Sequence, residues 1–209
     1  MRSIDLRNWS RRSQYAFFRG VAHPHFSLCA EVDATLLMAE LKPAGVSVFN
    51  AALFAVARAA NSVPELRMRF RGDQVVEHSV VHTSVTVPID GGRFAFCEIE
   101  YAPDWRTFDA RCRQALELAK RQTELTENVA HRDDWLYLSC LPWIAFSAMT
   151  NPTNGADDCI PRIAWGKVTQ HEDAWRMPVA VQVHHALVDG FHLGRFYDAL
   201  QDYVNAQLA

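Results

Sequence analysis

Near its C-terminus the chain carries VQVHHALVDGFHLGRF, Val181 to Phe196, in which two adjacent histidines end an alternating apolar run and Asp189-Gly190 follows four residues after the second. A neutral imidazole can take a proton from a hydroxyl or a thiol, because its unperturbed pKa lies near working pH. A carboxylate four residues further on can orient that imidazole or pair with a buried arginine. Packing is the commoner fate of such a histidine, and from position alone it stands beside catalysis as a reading. Metal binding is not expected. In a strand His184 and His185 point to opposite faces, no third ligand at zinc-like spacing lies nearby, and His192 is too ambiguous to supply one.

These residues need elements to hold them. Pro178 to Val183 reads as a strand, and a stripe of Leu193, Phe196, Leu200 and Val204 predicts a closing helix from about 191 to 207. The histidines then stand where a strand leaves a sheet and turns toward a helix. Elsewhere the patterns predict a helix over 11–19, a strand over 26–32, and a short helix over 34–41 capped by Asp33. An Ala-, Leu- and Phe-rich helix over 48–61 is apolar nearly all round and is expected to be buried. Strands are expected at 75–77 and 80–87, after a turn at Arg71-Gly72-Asp73, then at 94–101 and 136–146. Asp104 or Thr107 caps a helix running to about Thr123. Strands and separate helices in this mixture predict an α/β (α+β) two-layer sandwich with a mixed β-sheet and packed helices.

Composition narrows the function classes. The 209 residues, 49% of them hydrophobic, can build a sizeable core, and a single domain over 1–209 is expected. Twenty-one basic and 24 acidic residues are interspersed to a net charge of −3, which favours neither nucleic acid nor an anionic membrane as partner. No apolar run approaches the roughly 20 residues that span a bilayer, and the polar start MRSIDLRNWSRRSQ is unlike a signal peptide, so a soluble, cytoplasmic protein is expected. The five cysteines are odd in number and never form C-x-x-C, which predicts reduced thiols.

The pattern H-H-x-x-x-D-G-F-H after P-V-A-V-Q-V resembles the active-site signature of the chloramphenicol acetyltransferase family. Four further stretches are similar to that family's, in the same order. They are Asn8-Trp9-Ser10-Arg11-Arg12 with Phe17, Pro64-Glu65-Leu66-Arg67-Met68-Arg69, Leu141-Pro142-Trp143-Ile144-Ala145-Phe146, and Gly166-Lys167. Together they extend the resemblance from near residue 5 to the C-terminus.

The resemblance implies a homotrimer with each active site between two subunits, acetyl-CoA (acyl-CoA) as cosubstrate, a small hydroxyl-bearing acceptor and no permanently bound cofactor. It implies His185 as general base, His184 as its packed neighbour, and an ion pair between Asp189 and Arg11 supporting the histidine loop. It places Phe18 where antibiotic-modifying members have a pocket tyrosine, Trp165 on the pocket lining and Lys167 toward the CoA side. Two polar helpers differ. The serine five residues after the P-W tryptophan, which donates to the oxyanion, is Ala148 here, and a threonine three residues before the G-K lysine is Ala164. Losing one oxyanion donor typically costs on the order of a hundredfold to a thousandfold, which weighs against efficient chloramphenicol acetylation, while the resemblance to the family implies a link to antibiotic resistance. Ser147 is the nearest hydroxyl, though a strand would turn it to the other face. Thr150 and amides near Asn151 are further candidates. The expectation is therefore a CoA-dependent O-acyltransferase, with a catalytically impaired, trimeric small-molecule binding protein as the alternative.

Overall fold

The computed structural model describes residues 1–125 and 132–206. Its strands are β1 (Arg2–Ser3), β2 (His25–Asp33), β3 (Met68–Arg71), β4 (Gln74–Glu77), β5 (His82–Ile89), β6 (Arg93–Ile99), β7 (Trp135–Leu141), β8 (Arg162–Gly166), β9 (Thr169–His171) and β10 (Ala174–His184). The helices are α1 (Arg12–Arg19), α2 (Val48–Ser62), α3 (Trp105–Ala119) and α4 (Gly190–Val204). A π-helical turn covers Leu37–Leu41 and a 3-10 turn Pro64–Arg67.

A seven-stranded sheet runs in the order β2-β10-β8-β7-β5-β6, with β9 pairing β10 beside that path. β7 is parallel to both β5 and β8 and every other pairing is antiparallel, so the sheet is mixed. β1, β4 and β3 form a separate three-stranded sheet. This is the expected mixed-sheet sandwich with packed helices.

Side chains alternate between the two faces of a strand, and the register lines up two rows across one face of the large sheet. One row is Cys29, Ala180, Ala164, Ser139, Thr86 and Phe96; the other is Ser27, Gln182, Arg162, Tyr137, Ser84 and Glu98. Apart from Phe96 these residues are small or polar. The opposite face carries Val179, Val181, Val183, Ile163, Trp165, Leu138 and Val85, which join the residues of α2, α3 and α4 in one core. As its composition predicts, α2 is buried along most of its length, from Asn50 to Ala60, and it packs against α3 and α4. Ser47 caps it by accepting from the Asn50 amide at 3.3 Å, and Asp104 caps α3 through the Thr107 amide at 2.9 Å, each satisfying a free donor of a first turn.

Several boundaries differ from the sequence reading. The expected strand over 136–146 stops at Leu141, because Pro142 has no amide to give a ladder. The helix expected over 34–41 becomes mostly a π-helical turn, although Asp33 does accept from the Thr35 amide at 2.9 Å. β1, β8 and β9 were not anticipated, and β10 is longer than expected at both ends. The helix predicted to reach 207 ends at Val204, and Gln207 lies outside the described residues.

Candidate active site at the end of the long strand

β10 lies between β2 and β8 as far as Gln182, and its last residues, Val183 and His184, pair with Phe26 and His25 of β2. His184 is 2% exposed and uses both ring nitrogens: Nε2 lies 2.9 Å from the Ala156 carbonyl and Nδ1 accepts from the Ala186 amide at 3.1 Å. Burial, with the nearby His25 charge, pushes its pKa down to about 4. His184 is thus a neutral imidazole bonded into the turn.

His185 sits differently. Its amide donates to the Pro24 carbonyl at 2.9 Å, which ties the turn to the segment entering β2. Its half-buried ring stacks on Phe18, with centroids 3.9 Å apart and planes 4° from parallel, and Phe26 tilts over it at 4.6 Å. Nδ1 is buried with no hydrogen-bond partner among the described residues. The remaining nitrogen, Nε2, is the one left to meet another molecule.

Behind the ring, Arg11 Nη1 pairs with Asp189 Oδ2 and Nη2 reaches the His185 carbonyl at 3.4 Å. Burial pushes the Asp189 carboxyl up, but the bond from Arg11 and the charges of His192 and Arg11 outweigh it and hold the group below its usual value. Asp189 also caps α4, accepting from the amides of Phe191 at 3.0 Å and His192 at 3.4 Å. The sequence thus joins a helix cap and an ion pair in one carboxylate, and that carboxylate fixes the loop carrying His185.

The irregular segment after β7 covers the small-residue face of the sheet. Gln182 accepts from the Asn151 amide at 2.5 Å and donates to its carbonyl at 3.1 Å, while Asp158 pairs with Arg162. Ser147, Ala148, Met149 and Thr150 line a cleft of about 500 Å³ with Ser27 and Cys29. Because 142–152 is not a strand, alternation no longer dictates where Ser147 points. The Asn151 amide is already engaged by Gln182. Burial and the Glu31 charge push the Cys29 thiol up, so it is a thiol and not a thiolate nucleophile.

Ala164 is buried on the same face, beside Ala180. Trp165 lies on the other face, buried against Phe49 with centroids 5.7 Å apart. Lys167 is exposed, and its amide donates to the Ile144 carbonyl at 2.8 Å. His185, Arg11, Asp189 and Phe18 therefore come together, whereas Trp165 and Lys167 stand apart from them. Phe26 and Gln182 escaped the sequence reading as site residues, whereas Gly166 was marked there by the Gly166-Lys167 pair.

A Cβ on Gly166 would stand 2.6 Å from the Ile144 carbonyl oxygen and 2.8 Å from Pro178 Cγ. The first contact is backbone and cannot swing aside. Gly166→Ala is expected to cost about 1–3 kcal/mol and to displace the segment bearing Ser147 and Ala148. Urea unfolding checks the first effect, and protease sensitivity near 144–150 checks the second.

The comparisons with known proteins agree with one another. The family model for chloramphenicol acetyltransferase matches residues 1–201. The chain is 31% identical over 207 residues to chloramphenicol acetyltransferase 3 of Escherichia coli, covering 98% of this chain and 97% of that one. A solved chloramphenicol acetyltransferase superposes with a TM-score of 0.88 at 29% identity, covering 97% of this chain and 98% of its own. The cubic core of a pyruvate dehydrogenase multienzyme complex shares the fold, with a TM-score of 0.64 at 19% identity over 92% of this chain and 86% of that one.

Proposed function

The chain belongs to the chloramphenicol acetyltransferase family and is an acyltransferase, and on that premise we propose that His185 is the general base of acyl transfer from acetyl-CoA to a hydroxyl of a small acceptor. The observation that carries the reading is the support of His185: Phe18 and Phe26 hold its ring, while Arg11 and Asp189 hold its backbone. Nδ1 faces inward, so Nε2 takes the acceptor's hydroxyl proton as that oxygen attacks the thioester carbonyl. The C–S bond then breaks, the ester forms, and the imidazolium returns the proton to the departing CoA thiolate. No covalent enzyme intermediate is required, since His184 is bonded into its turn and Cys29 is protonated.

The acceptor lies on the small-residue face of the sheet. That face also holds a cavity of about 390 Å³ walled by Phe94, Phe96 and Tyr137, with Ser84, Thr86 and Arg162 at its margin. In a homotrimer with shared sites, this face of one copy meets the His185 end of the next. We place the enzyme in the cytoplasm as one domain; no helix among the described residues is long and apolar enough to cross a membrane.

Chloramphenicol is a poor acceptor on this reading, because Ala148 offers no hydroxyl to the oxyanion and Ala164 none beside it. Thiol titration of CoA release with a panel of alcohols that includes chloramphenicol tests the reaction. Ala148→Ser is expected to raise kcat for chloramphenicol by about tenfold or more. The alanines also favour a second reading, a trimeric binding protein for an apolar ligand. CoA release with none of the alcohols, together with saturable ligand binding, would replace the enzyme by that reading. Light scattering after size exclusion reads the oligomer, and a clean monomer rules out the shared site.

A further inference from the structure

We propose that His192 and Glu65 are positioning residues for His185: together they fix the turn at Asp189 and, through Arg11, the backbone that carries the base. This inference rests on the acyl-transfer reading above.

Its basis is an unusual cap. The Asp189 amide donates to His192 Nδ1 at 3.1 Å while the Asp189 carboxylate receives the His192 amide, a reciprocal capping box. Glutamate or glutamine ordinarily fills the role of His192. The imidazole does something they cannot, for its second nitrogen continues to another element: Nε2 lies 3.5 Å from Glu65 Oε1 on the 3-10 turn. Both side chains are enclosed, His192 being 9% and Glu65 16% exposed.

Accepting at Nδ1 puts the ring proton on Nε2, toward Glu65. Nδ1 also lies 2.8 Å from Asp189 Oδ1, so the ring joins both the backbone and the carboxylate of Asp189 to Glu65. Burial pushes the His192 pKa down against the charges of Glu65 and Asp189, with Arg11 and Arg195 acting in the same direction as burial. Glu65 Oε2 is buried with no hydrogen-bond partner among the described residues. Leaving such an atom unpaired costs stability, so Glu65 is held here at some expense to the fold.

Holding a reacting group to within an ångström can be worth on the order of a hundredfold in rate, and Arg11 conveys this turn to the His185 carbonyl. The test compares CoA release, with acetyl-CoA and chloramphenicol or a better alcohol from the panel, across His192→Ala, His192→Asn and Glu65→Gln. The expected result for His192→Ala is a kcat lower by about tenfold to a hundredfold, with KM for acetyl-CoA changed by less than about twofold. His192→Asn returns an acceptor to the Asp189 amide and recovers part of the loss. Combined with Arg11→Lys, the loss is smaller than the product of the separate losses, as expected of groups acting in series. An unchanged kcat, or a change confined to KM, overturns the inference. If His192→Ala does not fold, Glu65→Gln carries the same comparison.

A parent chain that releases no CoA, or that is indifferent to His185→Ala, defeats the acyl-transfer reading first. The positioning is then read without turnover, from the His185 ring resonance in NMR, assigned by its loss in His185→Ala. A shift of that resonance in Glu65→Gln supports the inference, and an unmoved resonance overturns it.

Discussion

Replacing His185 by alanine is expected to lower kcat by about a hundredfold to ten-thousandfold, the span that general acid–base catalysis supplies, while leaving the fold intact. The ring is half-exposed and its packing partners are Phe18 and Phe26, so its loss opens a hollow at the surface and not in the core. The backbone bonds of residue 185, its amide to Pro24 and its carbonyl from Arg11, do not depend on the side chain. Activity and stability therefore separate at this position. Thiol release measured beside thermal unfolding checks both, and turnover within about tenfold of the parent would remove His185 from the proton transfer.

The largest stability effect belongs to Arg69. It is 0% exposed, and its guanidinium donates to four backbone carbonyls: Asp133 at 2.7 Å, Leu66 at 3.0 Å, Met68 at 2.6 Å and Trp135 at 2.7 Å. Two of those acceptors lie on its own segment and two at the start of β7, so the side chain pegs the small sheet to the large one. Arg69→Met keeps the apolar stem and strands all four acceptors. Each buried acceptor left alone costs about 1–3 kcal/mol, partly offset because a buried charge disappears as well. The expected loss is about 4 kcal/mol or more, read as a lower urea midpoint. A loss below about 1 kcal/mol would mean that water reaches those carbonyls.

Much of this arrangement was legible in the sequence. Stripes at three- and four-residue spacing marked α4, and the uniformly apolar run marked α2, because burial leaves its period in side-chain types. The histidine turn was legible for the same reason, as an alternating run that breaks at Asp189-Gly190. β8 was not, since a five-residue strand buried on both faces has no alternation to display. The overlong strand through residue 146 arose because Trp143, Ile144 and Phe146 are apolar without joining the ladder: Trp143 and Ile144 stand exposed and Phe146 is half-buried, on a segment that Gly166 lets approach the sheet. Trp165, expected on the pocket lining, lies on the helix-covered face, and only the register of β8 settles that. Within the site, Arg11, Glu65 and Asp189 fall in ordered motifs, whereas Phe26 carries no local pattern and meets His185 only once distant segments are folded together.

The position of β10 bears on how the protein comes into being. Among the described residues, β2 pairs with no strand but β10, and almost the whole chain between them must be made before that partner exists. A polypeptide growing from its N-terminus holds β2 exposed at both edges until the last strand emerges and slides in beside β8. Pairings so distant in sequence form slowly, and an unpaired strand can recruit a neighbour meanwhile. The insertion that ends this exposure also draws His185 up to Pro24 and Phe26, so a chain interrupted before that moment has neither a closed sheet nor a base.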